Sequence, residues 1–278
     1  MKRKHAKAIA GTAAAALAAV LVAPGAANAA TGKKIPVDSA HLGKHTTLSR
    51  THLRPGRVTF TVHSAKGAHT LQIARLHKGY TLQQANQDIG AGFGGNAAAI
   101  RRVDKNVTFY GGAEGKPGKA GRFTISLPAG KFLAINFDTG AYKSFTVSGS
   151  KVVRRTVPYA ARINMLSYGF DTRRPVLPRS GEMRLKNISE QPHFIVIQHI
   201  KESTTHAQIK NALRHDDGSK PSFVLKGSTD SGVLSPYKAQ VWHYKLPAGK
   251  YVIACFWPDS HTGMEHAEMG MFKVIHLS

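Results

Sequence analysis

The residues best suited to chemistry lie within one short stretch, Tyr251-Val-Ile-Ala-Cys255-Phe-Trp-Pro-Asp-Ser-His-Thr-Gly-Met-Glu-His266-Ala-Glu-Met-Gly-Met271. It places the only cysteine of the chain at the end of an expected strand, then supplies His266 and Met271 from one loop. A thiolate, an imidazole and a thioether delivered together form the soft ligand set that copper prefers over zinc, magnesium or calcium. A fourth ligand has to come from elsewhere, and His193 in Gln-Pro-His-Phe-Ile-Val-Ile is the natural candidate. A single cysteine makes no internal disulfide. Its other roles are a buried thiol acting as a small hydrophobe, or a disulfide to another chain.

The elements that must position these residues come in two echoing sets. Leu127-Pro-Ala-Gly-Lys131-Phe-Leu-Ala-Ile-Asn136-Phe matches Leu246-Pro-Ala-Gly-Lys250-Tyr-Val-Ile-Ala-Cys255-Phe. Upstream, His69-Thr-Leu-Gln-Ile matches His193-Phe-Ile-Val-Ile, and at the same offset Thr81-Leu-Gln-Gln84 matches Thr205-His-Ala-Gln208. The last pair reads as two helix capping boxes, in which hydroxyl and amide satisfy free backbone N–H groups. The chain therefore reads as a tandem duplication.

Each copy reads mainly as short strands between turn residues. The first offers Arg57 to Val62, Arg122 to Leu127, Phe132 to Phe137 and Ser144 to Val147. The second offers Glu182 to Lys186, His193 to His199, Gln240 to Leu246, Tyr251 to Phe256 and Phe272 to Leu277. One short capped helix interrupts each, at Leu82 to Ile89 and His206 to Leu213. The glycine-rich run Gly90 to Gly95 reads as a loop, without the strand-to-helix setting of a phosphate cradle. Strands at close spacing with Pro-Ala-Gly turns imply an all-β chain with one sandwich per copy.

Lys2, Arg3, Lys4 and Lys7, the apolar run from Ala8 to Val22 and Ala27-Asn28-Ala29 have the layout of a signal peptide over residues 1–29. The apolar run is too short for a stable membrane anchor, and no later segment approaches spanning length. The expectation is a secreted, extracellular protein. Losing the four cations of residues 1–29 takes the net charge from +24 to +20. Such a charge suits an acidic redox partner or an anionic cell-surface polymer. No nucleic-acid-binding motif spacing is visible.

The ligand segments Gln-Pro-His193, Gly249-Lys-Tyr251-Val-Ile-Ala-Cys255 and His266-Ala-Glu-Met-Gly-Met271 resemble those of cupredoxins, the blue copper proteins of the plastocyanin and pseudoazurin group. The resemblance implies two tandem cupredoxin-like Greek-key β-sandwiches, each with a short helix, after the signal peptide. It implies one type 1 copper ion in the C-terminal domain, with His193, Cys255 and His266 equatorial and Met271 axial. Residues 30–155 would form a degenerate domain, since Asn136 stands where Cys255 stands and the loop Asp138 to Ala141 lacks histidine and methionine. Residues 156–278 would form the copper domain. The loop from Phe256 to Glu265 is much longer than in simple blue copper proteins, which would loosen the site or bring in His261 or Met264 as competing ligands.

The functional expectation is a copper protein for one-electron transfer or copper handling, and not an enzyme. Multicopper oxidases and copper nitrite reductases place histidines beside the type 1 cysteine, whereas Ala254 and Phe256 flank Cys255. The alternative is a metal-free, secreted cupredoxin-fold binding module. His41, His45, His52, His63 and His77 read as surface histidines rather than a second metal site.

Overall fold

Alternating burial sets the architecture, because a strand that buries every second residue needs a second sheet to cover that face. The computed structural model describes residues 34–215 and 219–278; the expected signal segment lies outside the described residues. In chain order, the first sandwich contains β1 (Val37–Leu42), β2 (Thr47–Leu48), β3 (His52–Leu53), β4 (Gly56–Ser64) and β5 (His69–Leu76). Helices α1 (Leu82–Phe93) and α2 (Ala97–Asn106) follow, then β6 (Val107–Gly115), β7 (Gly121–Leu127), β8 (Gly130–Asn136) and β9 (Tyr142–Val147). The second contains β10 (Ala161–Leu166), β11 (Gly169–Asp171), β12 (Val176–Leu177), β13 (Ser180–Asn187) and β14 (Val196–Ile200). It continues with α3 (His206–Arg214), β15 (Val224–Asp230), β16 (Ala239–Lys245), β17 (Gly249–Ala254) and β18 (Phe272–Leu277).

The all-β expectation of two sandwiches holds. Each has its own five-stranded sheet, ordered β3-β9-β8-β5-β6 in the first and β12-β18-β17-β14-β15 in the second. The opposing layers join into one eight-stranded sheet, β11-β10-β13-β16-β7-β4-β1-β2. Its midpoint is the antiparallel pairing of β16 with β7, where Trp242 stands opposite Phe123, both buried. A shared sheet has no free edge at the junction, and one connected core runs through both halves.

Several local expectations change. The first sandwich carries two helices rather than one. Gly90 to Phe93, expected as loop, form the last turn of α1. The reason is packing: a Cβ on Gly92 would lie 2.1 Å from Cδ1 of Ile100 in α2, so glycine lets the two helices close together. Both capping boxes form, at Thr81 with Gln84 and Thr205 with Gln208. His193 does not begin a strand. It precedes β14 and is held by reciprocal backbone hydrogen bonds with Leu234 (3.0 and 2.8 Å). Strand β17 is buried on both faces, because Tyr251 and Ile253 face the core while Val252 packs with Ile200 and Ile209 of α3.

A second seam joins the sandwiches where Gly232 meets Gly112. The N–H of Gly232 donates to the carbonyl of Gly112 (2.9 Å), and a Cβ on Gly232 would lie 2.4 Å from the Gly112 nitrogen. Gly232→Ala is therefore expected to lower unfolding stability by about 1–3 kcal/mol or more through overpacking. Urea unfolding checks this; an unchanged midpoint would show that the seam yields freely.

Candidate metal centre

Three donors meet in the second sandwich. Cys255, one residue beyond β17, sits with His193 and His266, all three fully buried, and their ligand atoms all lie within 4.8 Å of one another. Both imidazoles aim the same atom at the sulfur: Nδ1 of His193 lies 3.5 Å from Cys255 Sγ, and Nδ1 of His266 lies 3.7 Å from it. Bonds of about 2.3 Å to sulfur and about 2.0 Å to nitrogen, arranged in a trigonal plane, need edges of about 3.7 Å. The two sulfur-to-nitrogen edges, at 3.5 and 3.7 Å, therefore suit a first-row metal ion of soft preference.

Met271 shares this core and is fully buried. Its backbone closes the loop, donating to the His266 carbonyl (2.8 Å) and accepting from the Cys255 N–H (3.2 Å). That second bond continues the β17–β18 ladder past the Ala254–Phe272 pair. Residues 265–270 make the tight turn that links His266 to Met271, with Gly270 at a φ of 104°.

Burial controls the protonation of the metal-free site. It pushes the Cys255 thiol up to about 12, although the backbone N–H groups of Phe194 and Trp257 favour the thiolate. It lowers His193 to about 2, with His266 adding to the effect, and lowers His266 to about 4 against the opposing pull of Asp259. A neutral thiol and two neutral imidazoles result. Nε2 of His193 is buried with no hydrogen-bond partner among the described residues.

The orientation of His266 is set by residues that the sequence reading passed over. Gln191 donates through Nε2 to Asp259 Oδ2 (2.8 Å), which fixes its Oε1 as an acceptor. That Oε1 takes the Ser260 N–H (2.8 Å) and faces His266 Nε2 (3.4 Å). An imidazole whose Nε2 carries the proton presents the free lone pair of Nδ1 to the sulfur side. Asp259 is fully buried and also accepts from the Tyr168 hydroxyl (2.9 Å), the His261 and Thr262 N–H groups (2.9 and 2.7 Å) and the Thr262 hydroxyl (2.9 Å). Burial alone would raise its carboxyl; these hydrogen bonds, Gln191 foremost, hold it well below the usual range. The Asp-Ser-His-Thr spacing, with a carboxylate two and three residues before the N–H groups it accepts, is the one sequence signal that points to this turn.

The long loop does not loosen the site. Trp257 is fully buried, its ring edge-on to Phe109 (5.4 Å) and Phe93 (6.0 Å) of the first sandwich. Arg101 of α2 donates to the Ser260 carbonyl (2.7 Å). Gly263, at a φ of 76°, packs so closely on the α1–α2 turn that a Cβ there would lie 2.2 Å from the Gly95 oxygen. His261 and Met264 are exposed and stand outside the donor cluster. The corresponding end of the first sandwich has no such cluster. Asn136 is buried, and His69 lies 3.6 Å from Asp138. His41 and His63 stack at 4.8 Å, and among the described residues no second group of three metal-binding side chains converges.

No family model and no curated protein matches the chain. Among solved structures, it is similar to dithionite-reduced auracyanin from Roseiflexus castenholzii, at 20% identity over 42% of this chain and 96% of that one, with a TM-score of 0.26. It is similar to auracyanin A, a blue copper protein from Chloroflexus aurantiacus, at 16% identity over 41% and 100% of the two chains, with a TM-score of 0.30. Copper nitrite reductase from Nitrosomonas europaea gives 12% identity over 88% and 94%, with a TM-score of 0.24. At these TM-scores the chemistry of the site has to be read from its own geometry.

The buried histidines give the metal-free protein a distinct acid response. Their folded pKa values lie below the ordinary 6.5, so the unfolded chain takes up protons that the folded one refuses. Their contribution is complete above about pH 6.5 and is lost as pH falls, at about 1.4 kcal/mol per pH unit for each histidine. Urea unfolding of metal-free protein between pH 7.5 and 4.5 should show this decline, with a shallower slope in His193→Gln. Stability independent of pH across that range would contradict it.

Proposed function

We propose that the chain is a secreted cupredoxin, arisen by tandem duplication, that binds one copper ion in its second sandwich and uses it for one-electron transfer. On this reading residues 1–29 are removed on export, residues 30–155 are the copy without copper and residues 156–278 the copy with it. His193, Cys255 and His266 are the equatorial ligands and Met271 the axial one. The observation that carries the reading is the preformed donor triangle, with both Nδ1 atoms turned to one sulfur at 3.5 and 3.7 Å in a fully buried pocket. When bound, copper supplies a one-electron couple; the chain supplies a site whose shape is fixed beforehand. Gln191 and Asp259 hold His266 in the tautomer that frees Nδ1, and the packed loop keeps water out.

Burial also favours retention over hand-over, since a carrier that passes copper on needs a ligand within reach of its partner. None of the four side chains has exposed surface. The reading is of a carrier rather than an oxidase, because Ala254 and Phe256 flank Cys255 where a bridge to further coppers would need histidines. The net charge of 24 − 4 = +20 left after residues 1–29 are removed suits an acidic redox partner.

Mature protein given Cu(II) should develop an intense visible thiolate-to-copper band at one ion per chain, and Cys255→Ser should abolish it. A colourless Cu(II) complex, or none, would leave the metal-free binding module as the better reading. Gln191→Ala should keep the band while lowering copper affinity about 10–100-fold, the usual effect of removing a partner that orients a ligand. Because the thiol is protonated before binding, uptake should release a proton and strengthen as pH rises. Titration in weakly buffered solution reads that release directly.

A further inference from the structure

The two sandwiches finish differently at the end where the second holds its donors. There the chain from Cys255 to Met271 folds over and seals the core. In the first sandwich the matching stretch has Asn136 in place of Cys255, and only a tight turn separates it from β9. The Asn136 N–H donates to the Ala141 carbonyl (2.7 Å), its Oδ1 accepts from the Asp138 N–H (3.2 Å), and Gly140 takes a φ of 75°. So short a turn covers little. A broad pocket of about 1010 Å³, open to solvent, lies beside it, walled in part by Leu42, Lys44, His45, Lys66, His69 and Tyr142.

The chemistry of that wall is one-sided. Lys44, Lys66, His45 and His69 are among the residues that line it and no acidic residue is, alongside the apolar side chains of Leu42 and Tyr142. Asp138, the nearby acid, is already engaged: it accepts the Thr70 N–H (2.9 Å) and lies 3.6 Å from His69 Nδ1. His69 Nδ1 is buried and has no hydrogen bond among the described residues, its nearest charged neighbour being Asp138 at 3.6 Å. A metal ion fits poorly, since lysines repel it and no three ligating side chains converge here among the described residues. An anion with an apolar body satisfies both the charge and the apolar surface.

We propose that this cavity binds a small organic oxyanion, a phosphate or carboxylate held by Lys44 and Lys66, with its apolar body against Leu42 and Tyr142. The site is independent of the metal centre. Calorimetric titration of the full mature chain with phenyl phosphate, benzoate and uncharged phenol tests it. Phenyl phosphate or benzoate should saturate at one per chain, the tighter of the two naming the anionic group, while phenol should not. The variant K44E/K66E should weaken binding at least about tenfold, as expected for loss of charge-assisted hydrogen bonds. Both lysines are exposed, so the fold should survive the change. Amide shifts on titration should centre on Gly43 and Gly140. Cys255→Ser should bind the anion unchanged, so failure here and failure of the copper reading are separate results. Equal binding of phenol, undiminished affinity in K44E/K66E, or no saturation by about 10 mM would overturn the proposal.

Discussion

Burying Cys255 between the Nδ1 atoms of His193 and His266 costs free energy unless something positive joins them. Each group gives up water, and the space between them holds two nitrogen lone pairs and a weakly donating thiol. The protein answers this by making every other degree of freedom expensive to change. His193 is pinned through Leu234, Cys255 and Met271 through the β17–β18 ladder, and His266 through Gln191. A collapsed alternative, in which an imidazole swings away to find its own partner, would have to break these bonds first. The triangle survives because its surroundings are satisfied even though its centre is not.

The first sandwich makes that rigidity possible. The loop from Phe256 to Glu265 is held from within by Asp259, which gathers hydrogen bonds from Tyr168, Gln191, His261 and Thr262. From outside it is held by the first sandwich and its helices, through Trp257 on Phe93 and Phe109, Gly263 on Gly95, and Arg101 on the Ser260 carbonyl. The length that in isolation suggests looseness is thus the length needed to reach a second body and lie against it. The sandwich without the donor cluster still has a physical task, as the splint for the one that has it. The shared eight-stranded sheet and the Gly112–Gly232 contact fix the angle at which the splint is applied.

The sequence made the donors legible and their support mostly illegible. Cys255 and His266 share one stretch, and the repeat pointed to His193, so residue type and spacing sufficed for the three side chains that the fold brings together. The strand with the strongest alternation, β4, was equally readable. Strand β6 was not, because glycines at 111, 112 and 115 dilute its pattern; they are there because neighbours approach too closely for a Cβ, Gln240 of the second sandwich at Gly111, Leu71 of β5 at Gly112 and Val62 of β4 at Gly115. The glycine run at 90–95 misled for the same reason, since Gly92 serves helix packing rather than a turn. Gln191 and Asp259 act through contacts across about seventy residues of chain, which no local pattern encodes. Interface constraints are properties of two surfaces at once, and a single strand records only half of them.

Sealing the donors has a consequence for how electrons would travel on the proposed reading. With His266 fully buried, no ligand edge meets solvent, and the ring nearest to it on the outward side is Tyr168. That ring stands edge-on to the His266 ring at 5.7 Å, is 44% exposed, and is tied through its hydroxyl to the same carboxylate that positions Gln191. The groups that orient the imidazole and the group that fronts it to solvent therefore form one hydrogen-bonded unit. Rigidity then serves two ends at once. On the proposed reading it would keep the donor triangle from relaxing when charge changes, and it ties the exposed Tyr168 to the His266 side of the site through fixed hydrogen bonds.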